Sequence, residues 1–261
     1  FKDSGFNALW NRIKDCDLLY TDGITLKNYD TAEAEEDDED WKKKLFEPSP
    51  FRNKQGAQIP KGDLIITDDR GMVYQFGVGG LHNVAPRGLW KATEDMAIYN
   101  MDVTSYYPSL VVKNNYSPRQ FPQFSMIMGK LLEERKVHKR AKRKTQEQAL
   151  KLVLNSAFGK LRDSKSILFD PKACFSVTIS GQLLLLQLTD MIYQVSPDSV
   201  MINANTDGIC IYAPRVDLPI IQAAMKCWQQ ISMMGLEDEY YKVFAQSTCN
   251  LYCALGEDGK I

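Results

Sequence analysis

Apolar and polar positions alternate along several stretches of this chain in a way that predicts strands. Met96–Val103 reads as an apolar, half-buried strand with an acid, Asp102, near its end. Leu64–Thr67 and Met72–Phe76 read as a strand pair joined by an Asp-Arg-Gly turn, and Ser199–Asn203 and Ile209–Tyr212 as a second pair. Between the members of the second pair lies Asn205-Thr206-Asp207-Gly208, where Asp207 and Gly208 are the residues that tolerate positive φ. Ser247–Leu255 reads as a late strand. Helical spacing predicts helices over Met126–Arg143, Gln146–Phe158, Val177–Val195 and Leu218–Met234, with an amphipathic stretch at Phe6–Ile13. Ser105 followed by Pro108 marks a turn into a helix, because proline is accepted in a first helical turn.

Charge changes this picture by where it concentrates. The whole chain is nearly neutral, with 32 Lys and Arg against 33 Asp and Glu over 261 residues. Lys130–Lys165 nevertheless holds twelve Lys or Arg and four acids, a net of +8. Within it Arg135, Lys139 and Arg143 recur every four residues, so they share one helical face, and a concentrated basic helix attracts polyphosphate or a nucleic-acid backbone. Lys151 and Asn155 follow at the same spacing. Glu33–Asp40 holds seven acids and reads as a solvated loop, and Pro48–Pro60 reads as a linker. The six cysteines show no CxxC pair, which suits reduced thiols in a cytoplasmic setting rather than a zinc or disulfide framework. We expect no membrane span and no leader, since no apolar run of about 18 residues stands out.

Three separated segments carry the chemistry: Asp102-Val103-Thr104-Ser105-Tyr106-Tyr107-Pro108-Ser109, then Lys151 to Asn155-Ser156-Ala157-Phe158-Gly159, then Asn205-Thr206-Asp207-Gly208. Two-metal phosphoryl transfer needs carboxylates from different chain segments held rigidly together, and Asp102 and Asp207 are the natural pair. In order and spacing the three segments resemble motifs A, B and C of a phage-type family B DNA polymerase. Departures are Tyr106 where the family has Leu, Phe158 where it has Tyr, and Asn205 and Gly208 where it has Asp and Ser.

The resemblance implies an α/β (α+β) fold: an antiparallel palm sheet carrying Asp102 and Asp207, helices packed on its back, and a two-helix fingers lobe. It implies a pre-palm segment at 1–60, a first palm part at 61–117, fingers at 118–160 and a second palm part at 161–261. Asp102, the Val103 carbonyl and Asp207 would hold two Mg²⁺ ions, with Mn²⁺ as a substitute. Tyr107 would pack under the incoming sugar and exclude a 2′-hydroxyl. Ser105 and Tyr106 would complete that pocket. Arg135, Lys139 and Lys151 would face the triphosphate, with Lys151 as general acid toward pyrophosphate. Asn155 and Phe158 would order the pocket near the nascent base pair, and Gly159 would let that pair approach closely. Gly79 and Gly80 resemble the Gly-Gly element that contacts template, and Tyr252 the tyrosine at the primer terminus, here without its usual Lys partner. His82 reads as a structural histidine.

The partners so implied are primer-template DNA and dNTPs, together with a thumb and exonuclease portion, or a partner subunit, that we do not find in these residues. The expected setting is the cytoplasm, of a host cell for a phage-encoded protein. Two alternatives stay open. One is a polymerase-like module that binds nucleic acid without useful activity, suggested by Asn205 and the missing Lys. The other is an RNA-directed or RNA-making palm enzyme, against which Tyr107 argues.

Overall fold

The computed structural model describes residues 1–14, 17–18, 51–52, 65–77, 79–163, 165–257 and 259, with the backbone alone at 17–18 and 51–52. The acidic block Glu33–Asp40, Cys16 and most of the linker Pro48–Pro60 lie outside the described residues.

In chain order the elements are α1 (Ser4–Ile13), β1 (Asp17–Leu18), β2 (Phe51–Arg52), β3 (Ile65–Thr67), β4 (Val73–Gln75), β5 (His82–Asn83), β6 (Gly88–Lys91) and β7 (Met96–Val103). There follow α2 (Tyr106–Lys113), α3 (Phe124–Arg140), α4 (Lys144–Gly159), α5 (Pro171–Val195), β8 (Val200–Asn205), β9 (Gly208–Pro214), α6 (Leu218–Ser232), β10 (Leu236–Thr248) and β11 (Leu251–Gly256). This is a mixed α/β fold with a nine-stranded antiparallel sheet and, among the described residues, six helices. The chain divides into two compact units, one of Phe1–Asn11, Leu64–Tyr106 and Ile179–Ile261, the other of Arg12–Asp63 and Tyr107–Thr178.

The first unit contains the sheet, in the order β11-β10-β7-β9-β8-β5-β4-β3, with β6 also paired to β10. β7 is central because its alternation serves two faces at once. Ala97, Tyr99, Met101 and Val103 point to the back and are buried. There Gln222 and Met225 of α6 line a small cavity with Tyr99, Leu236 and Asp238. On the front, Ile98 joins Ile202, Cys210 and Phe244 in an apolar cluster flanked by Trp90, Tyr212 and Tyr241. Further along the same face come Asn100 and then Asp102, so the front turns from apolar to acidic toward the end of β7.

α5 begins earlier than its periodicity suggested, at Pro171 rather than Val177. Asp170 caps it by accepting from the Ala173 N–H at 3.0 Å, and Pro171 takes the first helical position, where a missing N–H costs nothing. α5 is also long and apolar enough to cross a membrane by length and composition, a test that a buried core helix passes as well. It is a packed core helix instead. Gln182 exchanges hydrogen bonds with the Gly77 backbone and donates to the Gly79 carbonyl, and Asp190 accepts from the N–H groups of Lys2 and Asp3. The predicted late strand is likewise corrected: Ser247–Leu255 is interrupted at Cys249 and Asn250, so β10 and β11 form a hairpin.

In the second unit α3 and α4 form a helical hairpin, joined across Ala141–Arg143 with Lys142 in the left-handed region at φ +54°. α3 buries Phe124, Ser125, Met128 and Leu132, whereas α4 buries Leu154 and leaves most of its length exposed. β1 and β2 pair antiparallel.

Candidate active site

Asp102 lies at the end of β7 with Gly208 of β9 opposite it on one side and Glu237 of β10 on the other. The β8–β9 turn is tied to this end of β7 by the Val103 N–H, which donates to the Asp207 carbonyl at 2.8 Å. Two distant segments therefore deliver carboxylates to one end of one sheet. The left-handed residue in the turn is Thr206, at φ +56°, not Asp207 or Gly208 as expected. A β-branched residue there is strained, and its surroundings hold it in place. The Thr206 N–H donates to the Leu81 carbonyl at 2.8 Å, and its hydroxyl donates to Asn205 Oδ1 at 3.1 Å.

Gly208 is needed for space rather than for conformation. A Cβ built there would stand 2.0 Å from Asp102 Oδ1 and 3.0 Å from the Met101 carbonyl. Gly80 has the same logic, because its Cβ would lie 2.6 Å from Thr206 Oγ1 and 2.8 Å from Thr206 Cα. The close approach at Gly80 is thus one of the protein to itself. A Cβ on Gly79 would meet nothing within 4 Å.

The acidic end of the front face is more crowded than the two motif acids suggested. Asn100 Nδ2 donates to Asp102 Oδ2 at 2.8 Å, and Thr104 Oγ1 donates to Glu237 Oε1 at 3.2 Å. Alternation along β10 puts Glu237 and Glu239 on this face and sends Asp238 to the back, where it accepts from Tyr99 Oη at 2.7 Å. The Asp102 carboxyl remains solvent-accessible, but partial burial raises its pKa to about 6, against the opposing Asn100 hydrogen bond and with the charges of Asp207, Glu239 and Glu237 adding to the rise. The sequence reading missed Asn100, Glu237 and Glu239. The available signal was the acid alternation in Leu236–Tyr240, legible only once β10 is known to pair with β7.

Such a cluster fits hard divalent cations. Its donors are oxygens, and a side chain at 208 would intrude on it. Among the described residues no three His, Cys, Asp or Glu side chains form one group that could hold a metal ion.

Asn205 pairs with Gly208, which in turn pairs with Asp102, so it stands on the same face of the sheet. Its amide donates to the Cys249 carbonyl at 3.4 Å, tying the strand end to the β10–β11 turn. His82 pairs with Asn205 across the sheet, and burial lowers its pKa while hydrogen bonds to Gly80 and Asn205 oppose the shift. Tyr252 stacks on Phe244 with ring centroids 5.1 Å apart. Burial raises its hydroxyl pKa, with Asp102 and Asp207 among the charges adding to the rise, so Tyr252 belongs to the carboxylate face.

Ser105 adopts φ +50° in the turn that releases β7 into α2. Tyr106 is buried, and its hydroxyl donates to the Gly181 carbonyl of α5, so packing in the first unit accounts for it. In the second unit Tyr107 and Phe158 stack on each other, with centroids 4.6 Å apart and planes inclined by 25°. The two residues expected near sugar and base thus form one aromatic pair joining the start of α2 to the end of α4. Lys139, Lys151, Asn155 and Gly159 are all exposed, and a Cβ at Gly159 would meet nothing within 4 Å. Arg135 is engaged by a neighbour: its Nε and Nη2 donate to Glu147 Oε1 at 3.2 and 2.7 Å.

No known family profile matches the chain. Individual proteins do. A protein named DNA polymerase from Thermococcus sp. (strain 9oN-7) is 25% identical, covering 74% of this chain and 30% of that protein. One named DNA polymerase 1 from Pyrococcus abyssi is 26% identical, covering 70% of this chain and 28% of that protein. The similarity is to DNA polymerases. The chain spans less than a third of the length of these relatives.

Proposed function

We propose that this chain is the palm and fingers part of a two-metal, family B DNA polymerase, and that it carries out template-directed transfer of dNTPs to a primer 3′-hydroxyl. The observation that carries the reading is the pairing of Asp102 with Gly208, which brings the Asp207 turn beside the end of β7. A strand-end Asp or an Asp-Gly turn taken alone would be ordinary. Their meeting on one sheet end, amid further acids that raise the Asp102 pKa, is what supports metal-dependent chemistry.

Asp102, the Val103 carbonyl and Asp207 would hold two Mg²⁺ ions, which when bound supply charge neutralisation at the reacting phosphate and favour the attacking alkoxide. Asn100 keeps one Asp102 oxygen oriented. The basic face of α3 and α4, with Arg135, Lys139 and Lys151, would bind the triphosphate, and Lys151 would give a proton to the leaving pyrophosphate. Tyr107, braced by Phe158, would exclude the 2′-hydroxyl. Asn155 would order the pocket, and the bare Cα at Gly159 would admit the nascent base pair. Ser105 and the buried Tyr106 would shape the turn behind Tyr107. Gly79 and Tyr252 would touch template and primer, with Gly80 supporting the former. Primer-template DNA and the remaining polymerase portions would be the partners, in a cytoplasmic setting.

The test is extension of a labelled primer by the full-length protein with dNTPs or rNTPs, with and without Mg²⁺. Extension that requires Mg²⁺ and prefers dNTPs is expected. DNA binding without extension would favour a binding module instead.

A further inference from the structure

The contact between Arg135 and Glu147 differs in kind from the lysine ion pairs near it in sequence. Lys136–Glu133 and Lys160–Asp163 are i,i+3 pairs whose lysine side chains are about half exposed, at 48% and 56%, and such pairs contribute little. Arg135 and Glu147 come from different helices, and their side chains are only 11% and 21% exposed. Two N–H groups of one guanidinium converge on one carboxylate oxygen. Two fixed bonds define the plane and the direction of a planar group, which a single contact to a lysine ammonium does not do. Glu147 also lies one turn before Lys151 on the same face of α4, so it sits among the residues assigned to the triphosphate.

A carboxylate in that place has two opposed effects on a polyphosphate. Its charge repels the ligand, and its hydrogen bonds pre-order a long cationic side chain that would otherwise lose rotamer freedom on binding. The pair is largely shielded and already neutralised within itself, which mutes the repulsion and leaves the ordering. We propose that Glu147 is a positioning residue for Arg135, holding the guanidinium in the orientation in which it meets the incoming nucleotide's triphosphate. This rests on the reading that Arg135 contacts the triphosphate.

The experiment is single-nucleotide insertion by the full-length protein, measuring KM for dNTP and kcat for wild type, Glu147→Ala, Glu147→Gln, Arg135→Ala and the double Ala variant, each with its Tm. Glu147→Ala should raise KM by up to about tenfold, the scale of ordering one long side chain, with a smaller change in kcat. Glu147→Gln keeps an acceptor oxygen and should restore most of that loss. The double variant should be no worse than Arg135→Ala, because Glu147 acts through Arg135. A lowered KM in either Glu147 variant would make the carboxylate a competitor and overturn the inference. So would an unchanged KM accompanied by a lower Tm, which marks a helix staple. An unchanged KM in Arg135→Ala would instead remove the underlying assignment. If Glu147→Ala does not fold, Glu147→Asp decides, since withdrawing the acceptor by one methylene should raise KM, and equal KM for Asp and Glu overturns the proposal.

Discussion

Gly208 and Asp102 show how a single missing side chain shapes the site. A methyl carbon at position 208 would stand 2.0 Å from Asp102 Oδ1, so Gly208→Ala must push the carboxylate aside or part β7 from β9. A destabilisation of about 1–3 kcal/mol is the usual cost of such overpacking, and thermal melts of this variant should show it. Asp102→Asn should do the reverse. The folded-state pKa of Asp102 is raised to about 6 from its ordinary 3.8, so the folded chain binds more protons than the unfolded one in that window. Stability from this group is fully present below the unfolded pKa and falls as pH rises through about 6, because the ionised form is the one the site disfavours. After discounting for the solvent that reaches this carboxyl, Asp102→Asn should stabilise the metal-free protein at pH 7 by roughly 1 kcal/mol, with the gain vanishing near pH 4. A Tm that is lower than wild type at pH 7 would contradict the crowding argument. Residue by residue, the two acids were readable from their motifs. Glu237 and Glu239 were not, because their place beside Asp102 is set by the pairing of β10 with β7, whereas Asn100 was within reach of the period-two alternation of β7 itself.

At the scale of elements, the helices and strands that alternation and capping specify were the legible ones. β7 has the bounds its pattern predicted, and α3, α4 and α6 differ from theirs by a few residues at the ends. The early start of α5 was legible in Asp170-Pro171 but masked by weak periodicity in its first turns. The β10–β11 hairpin was hidden because Cys249 and Asn250 make an inconspicuous turn. α2 presents two tyrosines with different fates, and this separates two experiments. Tyr107→Ala removes one ring of the Tyr107–Phe158 stack and should raise the ratio of rNTP to dNTP incorporation while extension persists. Tyr106→Phe removes the hydroxyl that donates to Gly181 and should cost about 1 kcal/mol in stability, with sugar selectivity unchanged. Altered selectivity in the Tyr106 variant and none in the Tyr107 variant would mean that the two rings exchange roles.

For the whole molecule, charge is divided between the two compact units: oxygen-rich acids at one sheet end of the first, and a basic helical hairpin in the second. That division was visible as the +8 run set against a near-neutral chain. The central claim is that Asp102 and Asp207 act as one metal-holding pair. The most direct measurement is the rate of a single nucleotide addition by the full-length protein bound to primer-template, comparing wild type with Asp207→Asn at saturating Mg²⁺. The account predicts a fall of several orders of magnitude with DNA affinity retained, since a metal clamp contributes several kcal/mol to the transition state. A rate for Asp207→Asn comparable to wild type would contradict it.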